Sequence, residues 1–114
     1  MAISSPSVFK RSLKYVAGVP ALNTLYSNTP PFVVKFVKVR LRCLTAEYGY
    51  AVGDVFDISN FVPAASGIGH AVAISGNTVK VMLSSVSILV KPLTGGSSVS
   101  ITLANWSLEI ESFG

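Results

Sequence analysis

The chain is 114 residues long; 50% of them are hydrophobic and only 12% charged, with a net charge of +4, one cysteine and one histidine. That length holds one domain around one core, and the composition excludes the low-hydrophobicity, high-charge class of disordered chains. One cysteine excludes an internal disulfide framework, and with one histidine it excludes a Cys/His zinc cage.

A soluble domain ordinarily carries about 25% charged residues. A small domain this short of ions is expected to have part of its apolar surface covered by other molecules. No membrane partner is expected, because a spanning helix needs about 20 predominantly apolar residues. Residues 15–34 are uncharged but hold Asn23, Asn28, Pro20, Pro30 and Pro31. Residues 58–79 are broken by Pro63, Gly67, Gly69, His70, Gly76 and Asn77. Lys10, Arg11 and Lys14 stand where a secretory signal would place its apolar run, so no export route is expected.

Charge is segregated along the chain. Lys10, Arg11, Lys14, Lys35, Lys38, Arg40 and Arg42 all precede the first acid, Glu47. Two readings of this asymmetry stand: an electrostatic seat for an acidic partner surface, or solvated charges on a strand face and tail. Nucleic acid is not expected as a partner, since the cations lack the interleaved aromatics of a single-strand platform.

Residues 1–31 read as an extended N-terminal arm and residues 32–114 as a β domain. The arm mixes Ser, Pro, Asn and Thr with the apolar Phe9, Leu13, Tyr15, Leu22, Leu25 and Tyr26. It is therefore expected to dock on a partner, with Phe9, Lys10, Arg11, Leu13, Lys14 and Tyr15 as the contacting residues. In the β domain, Val37, Val39, Leu41 and Cys43 alternate with Lys38, Arg40 and Arg42, the period-2 mark of a strand with one buried face. Upstream the phase is reversed at Val34 and Phe36, which predicts a β-bulge near Phe36-Val37. Residues 55–61 form a weaker strand candidate. Residues 71–74 and 79–83 flank Ser75-Gly76-Asn77-Thr78, a hairpin in which Gly76 and Asn77 are expected to take positive φ. Val86, Ile88 and Val90, then Val99, Ile101 and Leu103, mark the next pair of strands. Trp106, Leu108 and Ile110 alternate with Ser107, Glu109 and Glu111 in the last. The expected fold is all-β: an antiparallel β-sandwich or jelly-roll-like barrel, with Val37, Val39, Leu41, Trp106, Leu108 and Ile110 in its core.

The sequence offers little for catalysis. His70, in Gly67-Ile68-Gly69-His70, is the single base available to a nucleophile, and this context reads as an exposed or loosely packed imidazole. Cys43 falls on the apolar side of its strand and reads as a small buried hydrophobe. Asp54 and Asp57, three apart in a β-rich stretch, are expected to face opposite ways, with Asp54 bonded in the turn after Gly53. Gly67-x-Gly69 lacks the remainder of a dinucleotide fingerprint. The expectation is a protein without catalytic residues, cofactor or metal, and not an enzyme.

Two segments resemble small β-rich structural domains of tailed bacteriophages. Thr45-Ala46-Glu47-Tyr48-Gly49-Tyr50-Ala51-Val52-Gly53-Asp54-Val55 is similar to a "xGYxxGD" turn that follows a strand there. Leu103-Ala104-Asn105-Trp106-Ser107-Leu108-Glu109-Ile110 is similar to the "xxNWxLxV" strand that ends such domains. The resemblance spans residues 36–111 and implies a self-associating virion protein, often trimeric. Without shaft or heptads, the chain looks more like a capsid cement or decoration protein, made in the bacterial cytoplasm and bound at the capsid surface to the major capsid protein. The alternatives are a tail-fibre or tail-tip receptor-binding knob and, from another class, a carbohydrate-binding β-sandwich.

Overall fold

The structure is a computed structural model, and it describes residues 11–58 and 69–114. Those residues form nine strands, all in antiparallel pairs, and a 3₁₀ turn at Leu103–Asn105. The strands are β1 (Ser12–Gly18), β2 (Leu25–Asn28), β3 (Phe36–Cys43), β4 (Val55–Asp57), β5 (Ala71–Ser75), β6 (Thr78–Met82), β7 (Leu89–Val90), β8 (Val99–Ser100) and β9 (Trp106–Phe113). They assemble as a four-stranded sheet β1-β9-β3-β4, a three-stranded sheet β2-β6-β5 and the ribbon β7-β8. The fold is all-β.

The register explains the sequence alternation. Val37, Val39, Leu41 and Cys43 of β3 stand opposite Ser112, Ile110, Leu108 and Trp106 of β9, so one face of both strands is apolar. Val79 and Val81 of β6, together with Ile88 and Val90, join that face in a single buried cluster. Trp106 is fully buried at its centre, with its ring 5.3 Å from Tyr50 in an edge-to-face contact. Tyr50 in turn meets Phe56 of β4 edge-on at 6.0 Å.

Several local features differ from the sequence reading. The strands expected through Val86, Ile88 and Val90 and through Val99, Ile101 and Leu103 are confined to Leu89–Val90 and Val99–Ser100, and Leu103 lies in the 3₁₀ turn. The β3–β9 register runs without a shift from Phe36↔Phe113 to Cys43↔Trp106, so no bulge lies at Phe36-Val37. Phe36 instead sits on the outer face, 5.9 Å from the ring of Phe113, and both faces are apolar at that point. The shift occurs in β1, between Val16 and Gly18. In the β5–β6 turn Gly76 has φ 63°, while Asn77 is not among the positive-φ residues. A glycine alone at the first central position is the pattern of a II′ turn.

The segment read as an arm contributes to both sheets. Among its described residues, β1 forms an edge of the four-stranded sheet beside β9, and β2 an edge of the three-stranded sheet beside β6. Leu22 and Tyr26 pack against this chain's own core. The strand hydrogen bonds of these described residues are made within the molecule.

Replacing Trp106 by alanine removes the largest buried side chain and its contact with Tyr50. Trp106→Ala is expected to cost about 3–5 kcal/mol in denaturant unfolding. A loss under about 1 kcal/mol, the range of surface substitutions, would contradict the burial described here.

Candidate functional site

Residues 45–55 and 103–110 meet at one carboxylate. Glu47 accepts hydrogen bonds from the backbone N–H of Thr102 at 2.8 Å, from Asn105 Nδ2 at 3.0 Å and from Trp106 Nε1 at 3.0 Å. The Asn105 carbonyl accepts from the N–H groups of Leu44 and Thr45, at 2.7 and 3.2 Å. Tyr48 and Tyr50 donate their hydroxyls to the carbonyls of Ser100 and Lys91. Gly49, at φ +84°, lies so close to Leu93 and Thr94 that a Cβ there would approach both at 3.1 Å. The loop between β3 and β4 is thereby strapped to the β7–β8 end of the molecule. Burial pushes the Glu47 carboxyl upward, but the bonds from Thr102, Trp106 and Asn105 together outweigh it and hold its pKa below the ordinary value.

The outer face of the four-stranded sheet is a charge ladder. Glu109 and Glu111 project from the central strand β9, between cations on β1 and β3. Arg42 grips Glu109 with Nε at 2.6 Å and its terminal nitrogen at 3.2 Å, and Lys14 approaches the same carboxylate at 3.4 Å. Arg40 pairs with Glu111 at 2.9 Å. The hydrogen bonds from Arg42 lower the Glu109 pKa, burial opposes them, and the charges of Arg42 and Lys14 add to the lowering. Three of the cations that looked available for an acidic partner, Lys14, Arg40 and Arg42, are thus engaged within the chain.

The outer face of the three-stranded sheet is the opposite in character. Leu25, Met82 and Ala71 stand side by side across β2, β6 and β5, and all three are exposed, Leu25 to 56% and Met82 to 40%. The next row is Ser27, Lys80 and Ala73. Lys80 is the one charged side chain in these rows, and no carboxylate accompanies it. This apolar row is the strongest candidate for a contact surface among the described residues.

The remaining expected site residues are distributed as follows. Phe9 and Lys10 lie outside the described residues. Arg11 exchanges backbone hydrogen bonds with Gly114 at the end of β9. Leu13 and Tyr15 lie on the β1 face shared with Ile110 and Ser112, yet stay 39% and 38% exposed, whereas Lys14 turns to the charged face. Val37, Val39, Leu41, Trp106, Leu108 and Ile110 are all buried. Cys43 is buried, and burial raises its thiol pKa, the reverse of what a nucleophile needs. Asp54 accepts from the Ala51 N–H at 2.9 Å inside the turn, and Asp57 stands opposite Arg40 on the outer face.

His70 departs from expectation. It is only 5% exposed and forms an isolated backbone bridge just ahead of β5. Burial lowers its pKa, and a hydrogen bond with the Ile58 backbone opposes that lowering. Among the described residues, no three His, Cys, Asp or Glu side chains are grouped to hold a metal ion. No helix among them is long and apolar enough to cross a membrane.

Sequence reasoning missed Glu47 as an organising residue and missed the Leu25–Met82–Ala71 row. The first depends on partners 55 to 59 residues away. The signal for the second was present as exposed-phase apolar residues in β2 and β6, but only the cross-strand register places them together. Comparison with protein-family models, curated proteins and solved structures finds no match to this chain.

These pKa directions give a signed pH dependence. His70, Glu47 and Glu109 all have folded pKa values below their unfolded ones, so the unfolded chain binds more protons and stability falls with pH. The decline is expected to start below about pH 6.5, from His70, and to steepen below about pH 4.3, from the two glutamates. Denaturant midpoints measured across that range check it, with a Glu47→Gln, Glu109→Gln double variant showing a flatter acid limb. An identical limb in the double variant would remove the glutamates from this role.

Proposed function

We propose that this chain is a non-enzymatic structural protein of a phage virion, a cement protein that binds the lattice of major capsid protein and stabilises the shell. Two sheets sharing one buried cluster support reading the fold as a β-sandwich of the jelly-roll-like kind. The observation that carries the function is the exposed Leu25–Met82–Ala71 row on a face with one cation and no acid in its neighbouring row. A solvated sheet face is ordinarily polar, whereas one whole row of this face is apolar. The resemblance of residues 45–55 and 103–110 to phage structural domains directs the choice of partner. Residues 1–10 adjoin β1 and are proposed to add Phe9 and Lys10 to the attachment.

A cement protein works by contact area alone. Repeated sites on a lattice give many copies avidity, so each needs only a modest apolar contact. Sister copies covering one another's apolar edges account for the scarcity of charge.

Met82→Glu and Leu25→Glu put a carboxylate into the row at exposed positions, with folding stability expected to change by no more than about 0.5 kcal/mol. Both variants are expected to lose co-sedimentation with shells that the parent chain binds, and immunolabelling of virions is expected on the head. Undiminished binding by both variants would exclude this face. Labelling at the tail tip would replace the cement reading by a receptor-binding knob.

A further inference from the structure

Among the described residues, no further strand borders β1 at its edge of the four-stranded sheet. Arg11 and Gly114 exchange N–H···O=C bonds at 3.3 and 3.0 Å, which sets the alternation along the antiparallel β1–β9 pair. Leu13 and Tyr15 therefore turn their backbone groups toward β9, and Ser12, Lys14 and Val16 turn theirs away from it. No described residue bonds those three outward N–H groups or three outward carbonyls. The usual guards of an edge are proline, a bulge within the strand, or charges that repel a newcomer. Residues 12–16 carry no proline, and the register shift comes only beyond Val16. The one charge among them, Lys14, lies 3.4 Å from Glu109 of its own chain.

We propose that two copies of this chain pair through β1, antiparallel about a two-fold axis, so that two four-stranded sheets become one. An antiparallel edge presents the same order of donors and acceptors when read from either end, so a second copy fits it without any further sequence match. The register that engages every outward group sets Lys14 opposite its twin and Ser12 opposite Val16. On the core-facing side, Leu13 then meets Tyr15 of the other copy, twice over. These two side chains are 39% and 38% exposed in the single chain, and the pairing covers them with each other. Each Lys14 remains 3.4 Å from its own Glu109, a carboxylate that Arg42 also grips, so the two cations that meet at the axis are each partly offset within their own chain. The resemblance implies three-fold association, whereas this edge is two-fold. The pairing concerns copies of this chain alone, so it stands or falls separately from attachment to a shell.

Light scattering on the purified full chain, with oxidative cross-linking, tests the proposal. The expected mass is twice 12.0 kDa, or an even multiple of it. Lys14→Cys is expected to form a covalent dimer on oxidation, since directly hydrogen-bonded partners stand about 5.5 Å apart, within disulfide reach. Val16→Cys is expected to link at least about tenfold more slowly, because its twin lies four residues along the strand, about 13 Å away. The buried Cys43 provides the background. Ser12→Pro removes an outward N–H and no β1–β9 bond, and is expected to give a single-chain mass with unchanged far-ultraviolet circular dichroism. A mass of one or three chains for the parent, or equal linking of Lys14→Cys and Val16→Cys, overturns the pairing. A Ser12→Pro variant that keeps the parent's mass overturns it equally.

Discussion

The placement of β9 between β1 and β3 is the constraint on which the rest of the molecule depends. Its even-numbered residues Trp106, Leu108 and Ile110 build the core, while Glu109 and Glu111 face outward into cations from both neighbouring strands. A carboxylate as buried as Glu109 is costly unless paired, and a grip by Arg42 with Lys14 alongside meets that need. The same placement bears on the charge asymmetry of the sequence: the early cations Lys14, Arg40 and Arg42 face the late acids Glu109 and Glu111 across the sheet. Any strand order that separated β9 from β1 and β3 would leave both glutamates without these partners.

A second carboxylate organises one end of the fold. Glu47 receives the Thr102 N–H, the Asn105 amide and the Trp106 indole, tying the turn after β3 to the approach into β9. Buried Trp side chains call for a partner for their N–H, and Glu47 supplies it while the ring packs on Tyr50. Gly49 and Tyr50 on one side and Asn105 and Trp106 on the other therefore act as one unit. Gly49 is required there by both its positive φ and its close approach to Leu93 and Thr94.

The scarcity of charge is distributed unevenly between the two outer faces. One face concentrates Lys14, Lys38, Arg40, Arg42, Asp57, Glu109 and Glu111, and so is polar. The face of β2, β6 and β5 is left with Lys80 and a row of Leu25, Met82 and Ala71. A protein with few ions and this division has one side fit for water and another fit for contact. The attachment proposed above therefore falls on β2 and β6, with Leu13 and Tyr15 of β1 available to a neighbouring copy.

Period-2 alternation in residues 37–43 and 106–111 identified both central strands and their buried faces, because a one-residue slip would expose every apolar side chain. Gly76 marked the β5–β6 hairpin for an equally local reason, the φ that its turn requires. Partnership was not readable in this way. Nothing in residues 12–18 says that they border β9, some 95 positions later, or that Phe36 would turn outward to Phe113 instead of requiring a bulge. His70 looked loose beside its glycines and is buried, since burial depends on what folds over a residue. Local backbone preference and hydrophobic phase are properties of neighbours along the chain. Glu47's three donors, the charge ladder and the Leu25–Met82–Ala71 row arise from strand order and register, which bring distant residues within bonding distance.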